Sequence, residues 1–277
     1  MSIITLTTDF GIKDHFVAVA KGKLLSLMPN CQIIDVSHNV DFYNITNASY
    51  IINGVCDAFP KDTIHIVCVD AELYEVDSFV ALHWNEQYFL APNNGILGVL
   101  TEQYPADLIV ELEVNANAKC AMDVFVQTAS KISNGDKLEN LGNVVAECVT
   151  FVDVKPIVSN DENSIRGTIV YEDHYGNAVI NVSKRMFNDI GKGRNFRMSI
   201  GSRYKISRIN NYYSDFNLEV KSLKDYEGDA LLIFNELDFL QLSLYKSNPV
   251  KTGSVKSLLG LTYRDSVTIE FETKEQE

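Results

Sequence analysis

The sequence predicts an α/β protein, with a helix-bearing first half and a small β domain behind it. Three observations carry this. β-Branched runs alternate with amphipathic runs along the first 130 or so residues, the pattern of strands joined by helical crossovers and paired in parallel. An acid follows each of the early strands. Near Val158 the pattern changes to short alternating runs with little helical periodicity, which is the signature of a small all-β unit.

Residues 3–8 read as the first strand and break at Thr7-Thr8-Asp9-Phe10-Gly11. Asp14 is placed to cap a helix reaching Met28, with Phe16, Val17, Val19, Leu24, Leu25 and Met28 as its apolar face and Pro29-Asn30 as its stop. Cys31–Val36 and Thr63–Val69 are the next strands, with a helix over Asn44–Phe59 between them. Phe79–Trp84 and Gln87–Leu90 form a hairpin, followed by Ala91-Pro92-Asn93-Asn94-Gly95. A helix over 95–103, a strand over Leu108–Val114 and a helix over Val124–Ile132 complete the first half. The polar stretch Ser159–Ser164 reads as a linker, giving domains of 1–158 and 159–277. Strands are expected at Arg166–Val170, Ala178–Val182, Phe196–Ile200, Tyr204–Ile206, Ala230–Phe234, Leu240–Leu244 and Val267–Phe271.

Composition narrows the partners. At 277 residues and 46% hydrophobic, the chain holds enough apolar material for substantial cores. The net charge of −13 repels phosphate backbones and anionic membrane surfaces. Neither nucleic acid nor a membrane is expected as a partner. The opening residues lack a basic segment followed by an apolar one, so the cytoplasm is the expected compartment. Five cysteines are widely spaced, without a CxxC pair or a His at zinc-site spacing. Free thiols are expected, and no metal.

Asp9, Asp35, His38 and Asp70 all follow strands that should pair in parallel. They can therefore meet at the carboxyl edge of one sheet, where open α/β sheets bind ligands. Singly, each is an ordinary helix cap or loop brace, and His38 reads first as a brace. Asp173-His174-Tyr175-Gly176-Asn177 reads as a turn with an Asx cap. P-loop, GxGxxG, HExxH and GxSxG patterns are absent, which removes support for nucleotide triphosphates, dinucleotides, zinc hydrolysis and serine nucleophiles.

Taken together and in order, Thr7-Thr8-Asp9-Phe10-Gly11, Asp14, Lys21-Gly22, Pro29, Ile34-Asp35-Val36-Ser37-His38, Val69-Asp70, Ala91-Pro92-Asn93-Asn94-Gly95 and Asp173-His174-Tyr175-Gly176-Asn177 resemble one family. It is the S-adenosyl-L-methionine (SAM) hydroxide adenosyltransferases, the SAM hydrolases related to fluorinase and chlorinase. The resemblance implies a mostly parallel α/β sandwich domain, a smaller C-terminal β-barrel-like domain, and a homotrimer. It implies SAM as the substrate or ligand, held between the N-domain of one subunit and the C-domain of its neighbour, and no cofactor. Water displaces L-methionine from C5′ and leaves adenosine.

By position, the resemblance gives Asp9 the ribose hydroxyls and Asp14 the methionine amino group. Tyr43 stands where the halogenases carry an aromatic against the ligand. Asp173 and Asn177 match groups at the amino-acid and adenine ends, and Asn94, in the matching Asn-Asn-Gly turn, is a further substrate-binding candidate. Asp70 matches the Asp of a water-binding Asp, Arg and His set. The other two members are missing here. The expected Asp-Pro-Gly-Val-Gly with trailing arginines reads Asp70-Ala71-Glu72-Leu73-Tyr74-Glu75-Val76-Asp77, and Cys120 stands at the His position. Lys119 is a candidate replacement cation. In the C-domain, Asn235-Glu236-Leu237-Asp238 replaces a Ser-centred turn, and Glu236 would repel a substrate carboxylate, which leaves a different ligand or a decarboxylated analogue as an alternative. A SAM hydrolase is the first reading. A protein that binds an adenosyl compound without turnover, and an enzyme using another nucleophile, are the alternatives; the halide-site serine motif is not evident.

Overall fold

The computed structural model describes residues 2–73, 78–101, 104–150, 155–200 and 204–273. The chain separates into two compact units, Met1–Phe151 and Val152–Glu277.

In the first unit the order is β1 (Ile3–Thr8), α1 (Phe16–Leu27), β2 (Gln32–Ser37), α2 (Ile45–Asn53), β3 (Ile64–Cys68), β4 (Phe79–Trp84), β5 (Gln87–Pro92), α3 (Gly98–Thr101), β6 (Leu108–Leu112), α4 (Ala121–Ser133) and β7 (Gly142–Val144). The strands form one seven-stranded sheet in the order β2-β1-β3-β5-β4-β6-β7. The expected parallel pairing holds for β1 with β2, β1 with β3 and β3 with β5. The β4–β5 hairpin turns the rest antiparallel, so the sheet is mixed. That hairpin is closed by Asn85 and Glu86, both at positive φ, the geometry that matches the twist of a two-residue turn.

Alternation of side chains divides the core into two layers. Ile4, Leu6, Ile64, Ile66 and Leu90 pack with Ala20 and Leu24 of α1 and with Met122, Phe125 and Ala129 of α4. On the other face Val67, Val69, Val80, Leu82 and Phe89 pack with Ala48 and Ile52 of α2. β1 and β3 are sheathed on both faces, which explains their continuous apolar runs.

Two expectations about α1 fail. The residue preceding its first turn is His15, without a side-chain cap bond, so Asp14 does not cap it. The helix begins one residue too late for Asp14 to reach its free amides. Of the predicted apolar face, Leu24 and Met28 are buried, but Phe16, Val19 and Leu25 are exposed. By contrast α2 is capped as the sequence suggests, Asn44 Oδ1 accepting from Asn47 N at 3.1 Å. It stops at Asn53 and gives way to a 3-10 turn at Cys56–Ala58.

The second unit runs β8 (Ile157–Val158), β9 (Ser164–Glu172), β10 (Ala178–Ser183), α5 (Lys184–Gly191), β11 (Phe196–Ile200), β12 (Tyr204–Ile206), β13 (Ile209–Asn210), β14 (Ala230–Phe234), β15 (Phe239–Leu244) and β16 (Ser266–Phe271). The order β12-β11-β16-β9-β10-β15-β14-β13 makes one sheet, with β8 on β9. β12 returns into contact with β14, so the sheet curls into a half-barrel around Ile165, Ile180, Met198, Leu240 and Ile269. The helix α5, capped by Ser183 Oγ on Met186 N, is an element that the strand pattern does not announce. Its Phe187 stacks edge-on against Phe196, Phe234 and Phe271.

Candidate functional site

The order β2-β1-β3 puts the carboxyl ends of three parallel strands side by side, and with them Asp9, His38 and Asp70. The turn Thr8–Gly11 is closed by Gly11 at φ +68°, with Gly11 N donating to His38 O at 2.7 Å. Asp9 Oδ2 accepts from Tyr43 N at 3.1 Å. Tyr43 sits at φ +58° and is 73% exposed. Asp14 is exposed on the same loop.

Asp70 also has positive φ, +50°, a conformation that Asp tolerates better than most residues. Its backbone is held from the Asn93-Asn94-Gly95 turn. Asn94 Nδ2 donates to the carbonyls of Val69 and Asp70 at 3.3 and 3.1 Å, and Asn94 Oδ1 accepts from Ile96 N at 3.3 Å. Asn94 therefore acts on the backbone that carries Asp70. Asn93 similarly ties Ser78 to Val149 N.

Asp35 belongs to β2 and meets Lys21 at 2.6 Å. Burial works against its ionisation, but Lys21 and His38 outweigh it and hold the carboxyl below its ordinary value. His38 is buried, with Nδ1 2.8 Å from Thr8 Oγ1. Its Nε2 is 3.1 Å from Asp35 Oδ1 but out of line for a hydrogen bond, so that contact is electrostatic.

The start of α4 reaches the same edge. The Cys68 thiol, two residues before Asp70, is pushed up by burial and further by the nearby Asp9 and Cys120. Cys120 is exposed at the N-cap of α4. Lys119 is exposed, and its backbone amide, not its ammonium, engages Asp123 Oδ2 at 2.8 Å. The cation beside Cys120 is instead Lys23 of α1, 2.5 Å from Asp123 Oδ1 and 3.8 Å from Cys120 Sγ. The Asp123 bond keeps Lys23 charged above its ordinary range, against burial. Nothing in the sequence pairs Lys23 with a residue a hundred positions away. The stretch where the arginines are lacking runs through residues 74–77, outside the described residues.

In the second unit, the carboxylate of Asp173 closes its own turn. Oδ1 accepts from Tyr175 N and Asn177 N, each at 2.9 Å, and Oδ2 from Asn177 Nδ2 at 2.7 Å. This is the Asx-capped turn the composition suggests. Gly176 lies at φ +74°, and a Cβ there would stand 2.5 Å from Ser254 Cβ. Gly176→Ala should lower stability by about 2–3 kcal/mol from positive-φ strain and overlap, read as a fall in the urea midpoint. An unchanged midpoint would mean that the Ser254 loop yields freely.

Glu236 is exposed at the β14–β15 turn, which is shaped by Asn235 Oδ1 accepting from Leu237 N and Phe239 N at 3.1 and 3.0 Å. Asp173 and Glu236 both act on Tyr213, whose phenol is raised first by burial, while Gln241 and Ser243 oppose. Tyr213 and Gln241 carry no sequence signal of a shared site. Among the described residues no group of three or more His, Cys, Asp or Glu side chains is placed to hold a metal. Nor, among the described residues, is any helix long and apolar enough to cross a membrane.

A mixed α/β unit with acids at its carboxyl edge is thus followed by a curled β unit. The chain belongs to the SAM hydroxide adenosyltransferase family: the N-terminal domain model matches residues 4–142 and the C-terminal domain model residues 167–268. It is 24% identical to an (R)-S-adenosyl-L-methionine hydrolase of Methanocaldococcus jannaschii, over 97% of this chain and 96% of that one. It is 22% identical to a fluorinase of Nocardia brasiliensis over 72% of this chain and 77% of that one. A crystal structure of an uncharacterized conserved protein from Thermotoga maritima superposes with a TM-score of 0.78 at 25% identity, covering 97% of this chain and 99% of the other.

Proposed function

We propose that this protein hydrolyses S-adenosyl-L-methionine to adenosine and L-methionine. The observation that carries the reading is the match of both family domains, in order, together with similarity to a SAM hydrolase along nearly the whole chain. In this reading Asp9 grips the ribose hydroxyls and Asp14 the methionine ammonium, with Tyr43 against the ligand. Asp173 takes the amino-acid end of the ligand and Asn177 the adenine end, with Glu236 as a further candidate near the ligand. An anionic chain suits a substrate bearing a sulfonium and an ammonium.

The reaction is an in-line displacement. A water oxygen bonds to C5′ while the C5′–S bond breaks, its electron pair going to sulfur. Methionine leaves as a neutral thioether, so the leaving group needs no proton. The water must be held behind C5′ and give up a proton, for which Asp70 is the acceptor. No cofactor enters this scheme.

We propose further that the protein works in the cytoplasm as a homotrimer. Ile12, Phe16, Phe42 and Tyr43, exposed around the edge that bears Asp9, support burial against another copy. Incubating the pure protein with SAM and quantifying products by liquid chromatography–mass spectrometry tests the reading. Adenosine and methionine in equal amounts are expected. SAM bound but unconverted would replace the enzyme with a binding protein.

A further inference from the structure

We propose that His38 is the positioning residue for Asp9, setting affinity for the adenosyl end of the ligand without touching it. The inference rests on the proposed reading that Asp9 binds the ribose.

The turn that presents Asp9 is fastened to His38 on both sides. Before Asp9, Thr8 Oγ1 bonds His38 Nδ1 at 2.8 Å. After it, Gly11 N donates to His38 O at 2.7 Å, and Phe10 N donates to the same Thr8 hydroxyl at 3.3 Å. Thr8 O accepts from Val40 N at 3.3 Å, closing the loop that holds the imidazole. Thr8 is fully buried and the His38 side chain is 4% exposed. No alternative partner from solvent competes for the Thr8 hydroxyl.

The other side of the ring fixes its tautomer. Nε2 faces Asp35, whose second oxygen is held by Lys21. A carboxylate at 3.1 Å favours the proton on Nε2. We therefore assign Nδ1 as the acceptor of the Thr8 O–H, which leaves a Thr8 lone pair for Phe10 N. Lys21 donates to Asp35, the Thr8 hydroxyl to His38 Nδ1 and Phe10 N to the Thr8 hydroxyl, while His38 meets Asp35 through charge alone. Asp9 lies between Thr8 and Phe10.

A residue that only orients a ground-state contact changes binding of substrate and transition state alike, so it moves KM and leaves kcat. The test measures adenosine and methionine affinities by calorimetry and steady-state kinetics with SAM for the wild type, His38→Ala, His38→Asn and Thr8→Val. His38→Ala should weaken adenosine binding and raise KM by about tenfold, the loss of one well-placed hydrogen bond, with kcat and methionine affinity within about twofold. Thr8→Val should reproduce the defect. His38→Asn, whose Oδ1 can accept from Thr8, should recover most of it. Combining His38→Ala with Asp9→Asn should add nothing to Asp9→Asn alone.

Wild-type adenosine affinity in both His38→Ala and Thr8→Val would overturn the proposal, as would additive losses with Asp9→Asn. Equal loss of adenosine and methionine binding would reduce His38 to a general brace of the fold and overturn it too. These results leave SAM turnover by the wild type intact, so they are distinct from failure of the proposed function. A wild type that neither converts SAM nor binds adenosine would remove both.

Discussion

Asp70→Asn should form adenosine from SAM about 10²–10⁴-fold more slowly than the wild type, the usual contribution of a positioned general base, while SAM still binds. The substitution is chosen for the backbone as much as for the chemistry. Asp70 sits at φ +50°, where alanine adds steric strain but asparagine is at home. Asp70→Ala would mix a conformational defect with loss of the carboxylate. Asparagine keeps the shape and the carbonyl that Asn94 holds at 3.1 Å, and it removes only the basic oxygen. The comparison is single-turnover adenosine formation against SAM affinity by calorimetry. A variant as fast as the wild type would dismiss Asp70 as the proton acceptor, and the search would move to the start of α4. There Cys120, at the position where the resemblance expects a His, has Lys23 of α1 at 3.8 Å. A paired Lys23 is a fixed charge and not a base, since its bond to Asp123 keeps it protonated.

The part of this site legible in the sequence is the part set by strand periodicity. The ends of three β-branched runs are enough to place Asp9, His38 and Asp70 at one edge, because parallel strands with right-handed crossovers leave few alternatives, whereas Asp35, expected beyond its strand, lies inside β2. Most of the curled second unit was legible for the same reason: alternation marks β9 to β12 and β14 to β16 to within two residues, but not the two-residue β13. What escaped depends on side chains meeting across long separations. Lys23 looks like any helix lysine until α1 packs beside α4. Lys119, which adjoins Cys120, read either as a replacement cation or as a solvent-exposed residue; it is exposed, and its amide bonds Asp123. The exposed Phe16 and Leu25 of α1 escaped too. Periodicity tells which residues share a face, not whether that face is covered within the same chain.

Acid should destabilise the protein between about pH 6.5 and 4, through His65, by up to about 3 kcal/mol. His65 is fully buried on β3, stacked on Phe89 at 4.6 Å and edge-on to Phe59 at 5.5 Å. Gln87 Nε2 donates to the carbonyls of Cys56 and Phe59, so Gln87 Oε1 is left to accept from His65 Nε2 at 2.9 Å. Nδ1 then accepts the Thr5 hydroxyl at 2.8 Å. The network is satisfied by a neutral ring. Burial lowers its pKa to about 4, with Gln87 opposing. Above pH 6.5 neither the folded nor the unfolded chain holds the extra proton, and this group adds no pH dependence. As pH falls below that, the unfolded chain binds a proton that the native chain refuses until about pH 4, so the folded state loses ground throughout the window. The carboxyls held low by Lys21 and Lys23 act in a different range, losing their contribution only as pH falls through the carboxylate region. Urea midpoints taken from pH 7.5 to 4 separate the two. His65→Gln should be less stable than the wild type at pH 7, because the Thr5 and Gln87 bonds are no longer both made, but its stability should fall less steeply down to pH 4. Parallel curves for the two proteins would show that a proton on His65 is accommodated in the native core, and that the acid sensitivity lies elsewhere.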